Sequence, residues 1–99
     1  MHARVGQFHF SPDRFSEAIR LIRDEVTPRM RGEAGFRRSL VAADERKSKV
    51  VSISIWDSEE AMRASERPDG YFPEAMMKLA PLFIGSPVIE HYEVSLHDG

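Results

Sequence analysis

The sequence has 99 residues, which is the length of one domain and leaves no room for a second hydrophobic core. It contains no cysteine, so disulfides, thiolate catalysis and cysteine-ligated metal sites are excluded. The formal net charge of −2 argues against a general nucleic-acid binder. No apolar run approaches the ~20 residues of a membrane span. Since the first residues also lack the pattern of a signal peptide, we expect no membrane association and a cytoplasmic location.

The charge is distributed unevenly along the chain. Residues 1–49 carry 11 Lys or Arg and 7 Asp or Glu, whereas residues 50–99 carry 3 and 9. One interpretation is that the basic half pairs with the acidic half, within or between subunits. The other is that the basic residues bind an anionic ligand, because the planar guanidinium group suits carboxylates and phosphates. The arginines concerned are Arg29, Arg31, Arg37 and Arg38.

The first half of the chain predicts a strand, a helix and a second strand. Residues 3–10 form the first candidate strand, in which both alternating faces mix apolar and polar groups. Ser11-Pro12 then marks a helix start, and Thr27-Pro28 marks the end of that helix or a kink in it. The second strand is predicted over residues 36–44, after a polar connection closed by Gly35.

The second half is organised around residues 49–65, which predict a buried strand ending at Trp56 and running directly into a helix. The strand is rich in β-branched residues, and Asp57 and Ser58 can accept hydrogen bonds from the first amides of the helix. Residues 44–48 form a charged turn, so strands two and three make a hairpin. A further short helix within residues 71–82 and a last strand over residues 88–96 follow.

The element order predicts an α+β, ferredoxin-like β-α-β-β-α-(α)-β fold with a four-stranded antiparallel sheet. Right-handed connections place the strands in the spatial order four, one, three, two. Helices cover one face of such a sheet, yet several strands carry large apolar groups on both faces. We therefore expect a homodimer in which the two uncovered sheet faces pack against each other.

Several of these residues resemble the antibiotic biosynthesis monooxygenase-like domain of the dimeric α/β-barrel proteins. The resemblance lies in Pro28, in the Gly35-Phe36 entry to strand two, in the hairpin, and in residues 55–61 with Ser65. It implies a dimeric barrel with a ligand pocket between helices and sheet in each subunit. Some relatives oxidise polyketide-type aromatic substrates without metal or flavin, others degrade haem, and many have no known activity.

The resemblance favours cofactor-free chemistry over haem degradation. Haem-degrading relatives use a strand-one Asn and a haem-ligating His in a later helix. This sequence contains no Asn, and its histidines are placed in strands or near the termini, at His2, His9, His91 and His97. We expect no cofactor and no metal site.

Two histidines are the candidate catalytic groups. We expect strands one and three to run parallel, which would bring His9 and Trp56 to one sheet edge, together with His91 from strand four. A neutral histidine there could accept the proton of a phenolic substrate and leave an easily oxidised anion. The alternative is that both are ordinary strand histidines. Predicted substrate contacts are Trp56, Tyr71, Phe72, Ser54 and Arg38.

The resemblance thus implies a cofactor-independent monooxygenase that acts on a small aromatic compound. The competing interpretations are a non-catalytic binding or regulatory homodimer of the same fold, and a structural homodimer without a ligand. An enzyme predicts a cavity reached by His9 or His91, a binding module predicts a cavity without a titrating group, and a structural role predicts a filled interior.

Overall fold

The computed structural model describes residues 1–96 and 98, so the predicted strand or terminal position of His97 lies outside the described residues. The strands β1 to β4 span His2–His9, Phe36–Asp44, Lys49–Trp56 and Val88–Glu93. The helices α1 to α4 span Phe15–Leu21, Thr27–Arg31, Glu59–Ala64 and Tyr71–Leu79. A π-helical turn, Ile22–Val26, joins α1 to α2, and 3-10 turns occupy Pro12–Arg14 and Ala80–Leu82.

The four strands form one antiparallel sheet in the order β2-β3-β1-β4. This confirms the predicted ferredoxin-like α+β fold and its strand order. The expectation that strands one and three run parallel is wrong, because His2 lies opposite Trp56 and His9 lies opposite Lys49. The helical crossover makes β2 parallel to β1, and the hairpin then returns β3 antiparallel to both. His9 and Trp56 consequently lie at opposite ends of the sheet.

The predicted strand-to-helix unit forms as expected. Strand β3 ends at Trp56, and the Ser58 hydroxyl accepts a hydrogen bond from the Ala61 amide at 3.1 Å, which caps α3. Asp57 is used differently, because its carboxylate accepts a hydrogen bond from Arg37 at 2.8 Å. The last strand is shorter than predicted and ends at Glu93.

Thr27-Pro28 does not end the first helix. The chain stays helical through Pro28 to Arg31, but only after the π-helical turn, in which the Thr27 amide bonds to the Ile22 carbonyl five residues earlier. Proline has no amide to donate within a helix, and the widened turn precedes it directly.

Alternate residues of β1 and β3 point toward the helices and build two hydrophobic clusters. The apolar cluster comprises Phe8, Phe10, Phe15, Ala18, Ile22, Val50, Leu79 and Leu82. The second comprises Met30, Trp56, Met62, Tyr71 and Ala75, and we name it, with the Arg4 side chain that contacts it, the arginine cluster. The opposite sheet face is uncovered: Leu40, Val88 and Tyr92 are 62%, 52% and 49% exposed.

Candidate functional site

A pocket lies between the helical layer and the sheet. Its floor comes from β1, β2 and β3. One wall comes from residues 15–31, which we name the first helical stretch, and the other wall comes from α4. The lining residues are Phe8, Ile22, Val26, Thr27, Met30, Val41, Ser52, Tyr71, Phe72, Ala75, Met76 and Leu79. Its cavity volume is about 40 Å³, and the empty space reaches about 430 Å³ when the open mouth is counted. Side chains thus fill most of the enclosed helix–sheet space, and the room for a ring-sized ligand lies at the open mouth.

The pocket forms where the two clusters meet. Phe8 and Leu79 belong to the apolar cluster, whereas Met30 and Tyr71 belong to the arginine cluster. Ser52 lies on the floor between Val50 and Ser54 on the same face of β3, and its short side chain leaves the space open. Small residues on a strand commonly mark close approach or a ligand space, and here the space is a pocket.

The arginine cluster surrounds a guanidinium group that is only 3% exposed. Arg4 Nη1 donates to Ser65 Oγ and to Glu66 Oε2, each at 2.9 Å, and Nη2 donates to the Tyr71 hydroxyl. A buried charge is stable only when it is paired and hydrogen-bonded, and these contacts meet that need.

Aromatic rings enclose the same guanidinium group. Its central carbon lies 4.3 Å from the centroid of the Phe72 ring and 5.4 Å from those of Trp56 and Tyr71. The Trp56 and Tyr71 rings stack at 6.2 Å. Ring faces attract cations, so the Arg4 charge contributes to holding three aromatic side chains together. Two of them, Tyr71 and Phe72, line the pocket.

Tyr71 is the one ionisable side chain among the described residues that line the pocket. Burial raises its pKa above the ordinary value, and the nearby Arg4 guanidinium only partly opposes that rise. The phenol is therefore protonated at neutral pH. The phenol oxygen accepts the hydrogen bond of Arg4, and the Ser54 hydroxyl is a second hydrogen-bond partner of the same group.

The structure separates the other predicted site residues. Trp56 is fully buried beside the pocket without lining it, and its indole nitrogen donates to Ser54 Oγ at 2.9 Å. His91 Nε2 lies 2.7 Å from Glu66 Oε2, behind Arg4, and does not line the pocket. His9 is exposed at the far end of β1, and Arg38 lies on the uncovered sheet face.

Sequence analysis missed Arg4 and Glu66. The signal for Arg4 was its strand parity, since residues 4, 8 and 10 share one face and the last two are phenylalanines that must be buried. Glu66 gave no comparable signal, because it follows α3 in an irregular connection.

Two absences hold for the described part of the chain. No group of three or more His, Asp or Glu side chains there is placed to hold a metal ion. No described helix combines the length and the apolar character needed to cross a membrane.

Comparison with known proteins gives one family and many structural neighbours. Residues 1–71 match the model of the family described as antibiotic biosynthesis monooxygenase. A protein from Deinococcus radiodurans superposes with a TM-score of 0.82 at 21% identity, covering 100% of this chain and 97% of the other. A mutant of SnoaB, a cofactor-independent oxygenase from Streptomyces nogalater, gives 0.74 at 17% identity, covering 97% and 94%. No curated protein matches the chain.

Proposed function

Because the chain belongs to the antibiotic biosynthesis monooxygenase family, we propose that its pocket binds a small aromatic compound and that the protein oxygenates it without a cofactor. The observation that carries this proposal is the pocket at the junction of the two clusters. Phe8, Tyr71 and Phe72 offer aromatic surface there, and Met30 and Met76 offer adaptable, polarisable contacts. Such a lining suits a flat, apolar ring system better than a sugar or a peptide.

The proposed reaction needs no electrons beyond those of the substrate. For a substrate with an activated CH₂ group between aromatic rings, the balance is R₂CH₂ + O₂ → R₂C=O + H₂O. Two C–H bonds break, one C=O bond forms, and the second oxygen atom leaves as water. Loss of one substrate proton comes first, because the resulting anion transfers an electron to O₂ more readily than the neutral compound.

Tyr71 is the group proposed to assist that first step. Since its phenol is protonated, it cannot accept the proton at neutral pH, but it can exchange its hydrogen bond with Ser54 for one donated to the oxygen of the substrate anion. A donor that Arg4 already holds in place loses little freedom when the anion forms. The proton itself passes to water at the open mouth of the pocket.

Oxygen uptake with a panel of phenols and anthrones tests the proposal. We expect uptake by the wild-type protein, at least a tenfold loss in Thr27→Trp, and a smaller loss in Tyr71→Phe. Thr27 lies on the wall and is partly exposed, so a bulky side chain there blocks the pocket without entering the core. The matched control is Ser16→Trp, on the same helical stretch but outside this lining, which should retain full uptake.

The catalytic role of the histidines stays a prediction that the same assay tests. Neither His9 nor His91 lines the pocket of this chain. Oxygen uptake that is unchanged in His9→Ala and His91→Ala would remove both histidines from the mechanism. A loss of uptake in either variant would mean that the substrate binds where that histidine can contact it, outside the lining described here.

A non-catalytic binding protein is the second candidate, and one observation favours it. Among the described lining residues none is a base at neutral pH, as a binding module predicts. Calorimetric binding of the same aromatic panel, lost in Thr27→Trp and unaccompanied by O₂ uptake, would select this function over the oxygenase.

Homodimer formation through the sheet faces is part of the proposal. The uncovered face carries Leu40, Ile53, Val88 and Tyr92, and an apolar face of this kind gains stability by being covered. Sedimentation should show a dimer at micromolar concentration, and Leu40→Lys should shift it toward the monomer. Met77→Lys is the control, because Met77 is 78% exposed on a helix. A stable wild-type monomer would contradict the proposal.

We also propose a cytoplasmic location. The sequence has no cysteine and so gains nothing from an oxidising compartment. Cell fractionation tests this, and recovery in the membrane or the medium would contradict it.

A further inference from the structure

The four arginines in and near α2 and β2 lie in three different environments. Arg29 and Arg37 form ion pairs with acidic residues of the second half of the chain, namely Glu74 and Asp57. Arg38 lies on the uncovered sheet face. Arg31 has no acidic partner in the part of the chain that the structure describes. Pairing between the two halves therefore accounts for some of these arginines but not for Arg31.

Arg31 stands at the rim of a groove between the first helical stretch and the edge strand β2. The groove is lined by Ile19, Ile22, Arg23, Thr27, Arg31, Ser39, Val41 and Ala43. No acidic side chain belongs to this lining among the described residues. Arg23 is held by Asp24 through two contacts of 2.8 and 3.2 Å, so its charge is already balanced. The unbalanced charge of the groove is that of Arg31.

The groove continues into the pocket. Ile22, Thr27 and Val41 line both spaces, and so a ligand seated among the aromatic side chains can extend into the groove without leaving contact with the protein. The two spaces together combine an apolar interior with two guanidinium groups in the groove, of which Arg23 is paired with Asp24.

We infer that the ligand of this pocket is an aromatic carboxylate, whose rings enter the pocket and whose carboxylate group meets Arg31. The inference rests on the proposed function and names the substrate class. A guanidinium group presents two parallel N–H donors that match the two oxygens of a carboxylate. A phosphate with two charges would require more unpaired charged donors than Arg31 supplies, since Arg23 is already bonded to Asp24.

Calorimetry with 2-naphthoate and 2-naphthamide tests the inference, because the two compounds differ in charge and hardly in shape. We expect naphthoate to bind about tenfold more tightly than naphthamide at low salt, with the difference decreasing as salt is added. Arg31→Gln should abolish the preference, and Arg31→Lys should keep part of it. Arg67→Gln makes the same change in charge at an exposed arginine outside both spaces and should keep all of it.

The outcomes separate this inference from the proposed function. Equal binding of both compounds would overturn the carboxylate assignment and leave the aromatic pocket standing. A preference that persists in Arg31→Gln would overturn the role of Arg31. If neither compound binds the wild-type protein, the aromatic pocket fails, and the inference fails with it.

Discussion

The two clusters both lie between the helices and the sheet, at opposite ends of the sheet, but different interactions stabilise them. The apolar cluster contains only hydrophobic side chains, with Phe10 and Val50 fully buried. The arginine cluster closes around the charge of Arg4, whose hydrogen bonds reach Ser65, Glu66 and Tyr71. Dispersion and burial are nearly independent of direction, whereas hydrogen bonds to a guanidinium group fix the orientation of every partner.

This difference bears on the pocket between the clusters. A wall made only of hydrophobic residues can change its packing without breaking directional contacts. The wall that carries Tyr71 and Phe72 is held by Arg4 and has one preferred arrangement. The pocket thus combines an adaptable side with a fixed side, and the substitutions below test each side in turn.

The largest effect on the free energy of unfolding is expected in the apolar cluster. Phe10→Ala removes a fully buried ring from the apolar cluster and should lower the free energy of unfolding by about 3–5 kcal/mol. Urea denaturation measures the loss. A change below about 1 kcal/mol would mean that the ring is not as tightly packed as its burial indicates.

Arg4→Met should cost somewhat less, about 1–3 kcal/mol, because methionine keeps part of the packing but removes the donor to Ser65 and Tyr71, whereas Glu66 keeps its contact with His91. The control Arg67→Met, at an exposed position, should change stability by less than about 0.5 kcal/mol. An Arg4→Met variant with a higher free energy of unfolding than the wild type would show that the buried charge destabilises the fold.

Glu66→Gln should have a smaller effect, about 1 kcal/mol, since the amide oxygen can still accept from Arg4 while the opposite charge is lost. His91 shares the same carboxylate oxygen, so combining Glu66→Gln with His91→Ala should cost less than the sum of the two single losses. Strict additivity would indicate that the two contacts are independent.

The smallest expected effect on stability appears only in alkaline solution and comes from Tyr71. The folded-state pKa of Tyr71 is raised, so the unfolded chain loses this proton first and stability falls as pH rises above about 10. The sequence has two tyrosines, and Tyr92→Phe leaves only Tyr71 for ultraviolet titration of the phenolate. Its midpoint should lie above that of the same variant in urea, and equal midpoints would contradict the burial of the phenol.

The order of elements was predictable because it depends on local patterns. The bounds of strands two and three follow from β-branched runs between polar turns, and Ser58 caps its helix as expected. The direction of β1 relative to β3 was inferred wrongly, although the crossover and the hairpin determine it. Arg4 escaped notice because its partners lie about sixty residues away, beyond the reach of any local periodicity.

The π-helical turn determines which side chains of the first helical stretch face the pocket. In an α-helix four residues overshoot one turn by about 40°, so positions 22, 26 and 30 would drift apart around the axis. A wider turn reduces that overshoot, and Ile22, Val26 and Met30 all line the pocket. Deleting one residue within Ile22–Val26 would restore α-helical winding and turn α2 away from the sheet, carrying Met30 out of the pocket. The extra residue in this turn thus decides which side chains line the pocket.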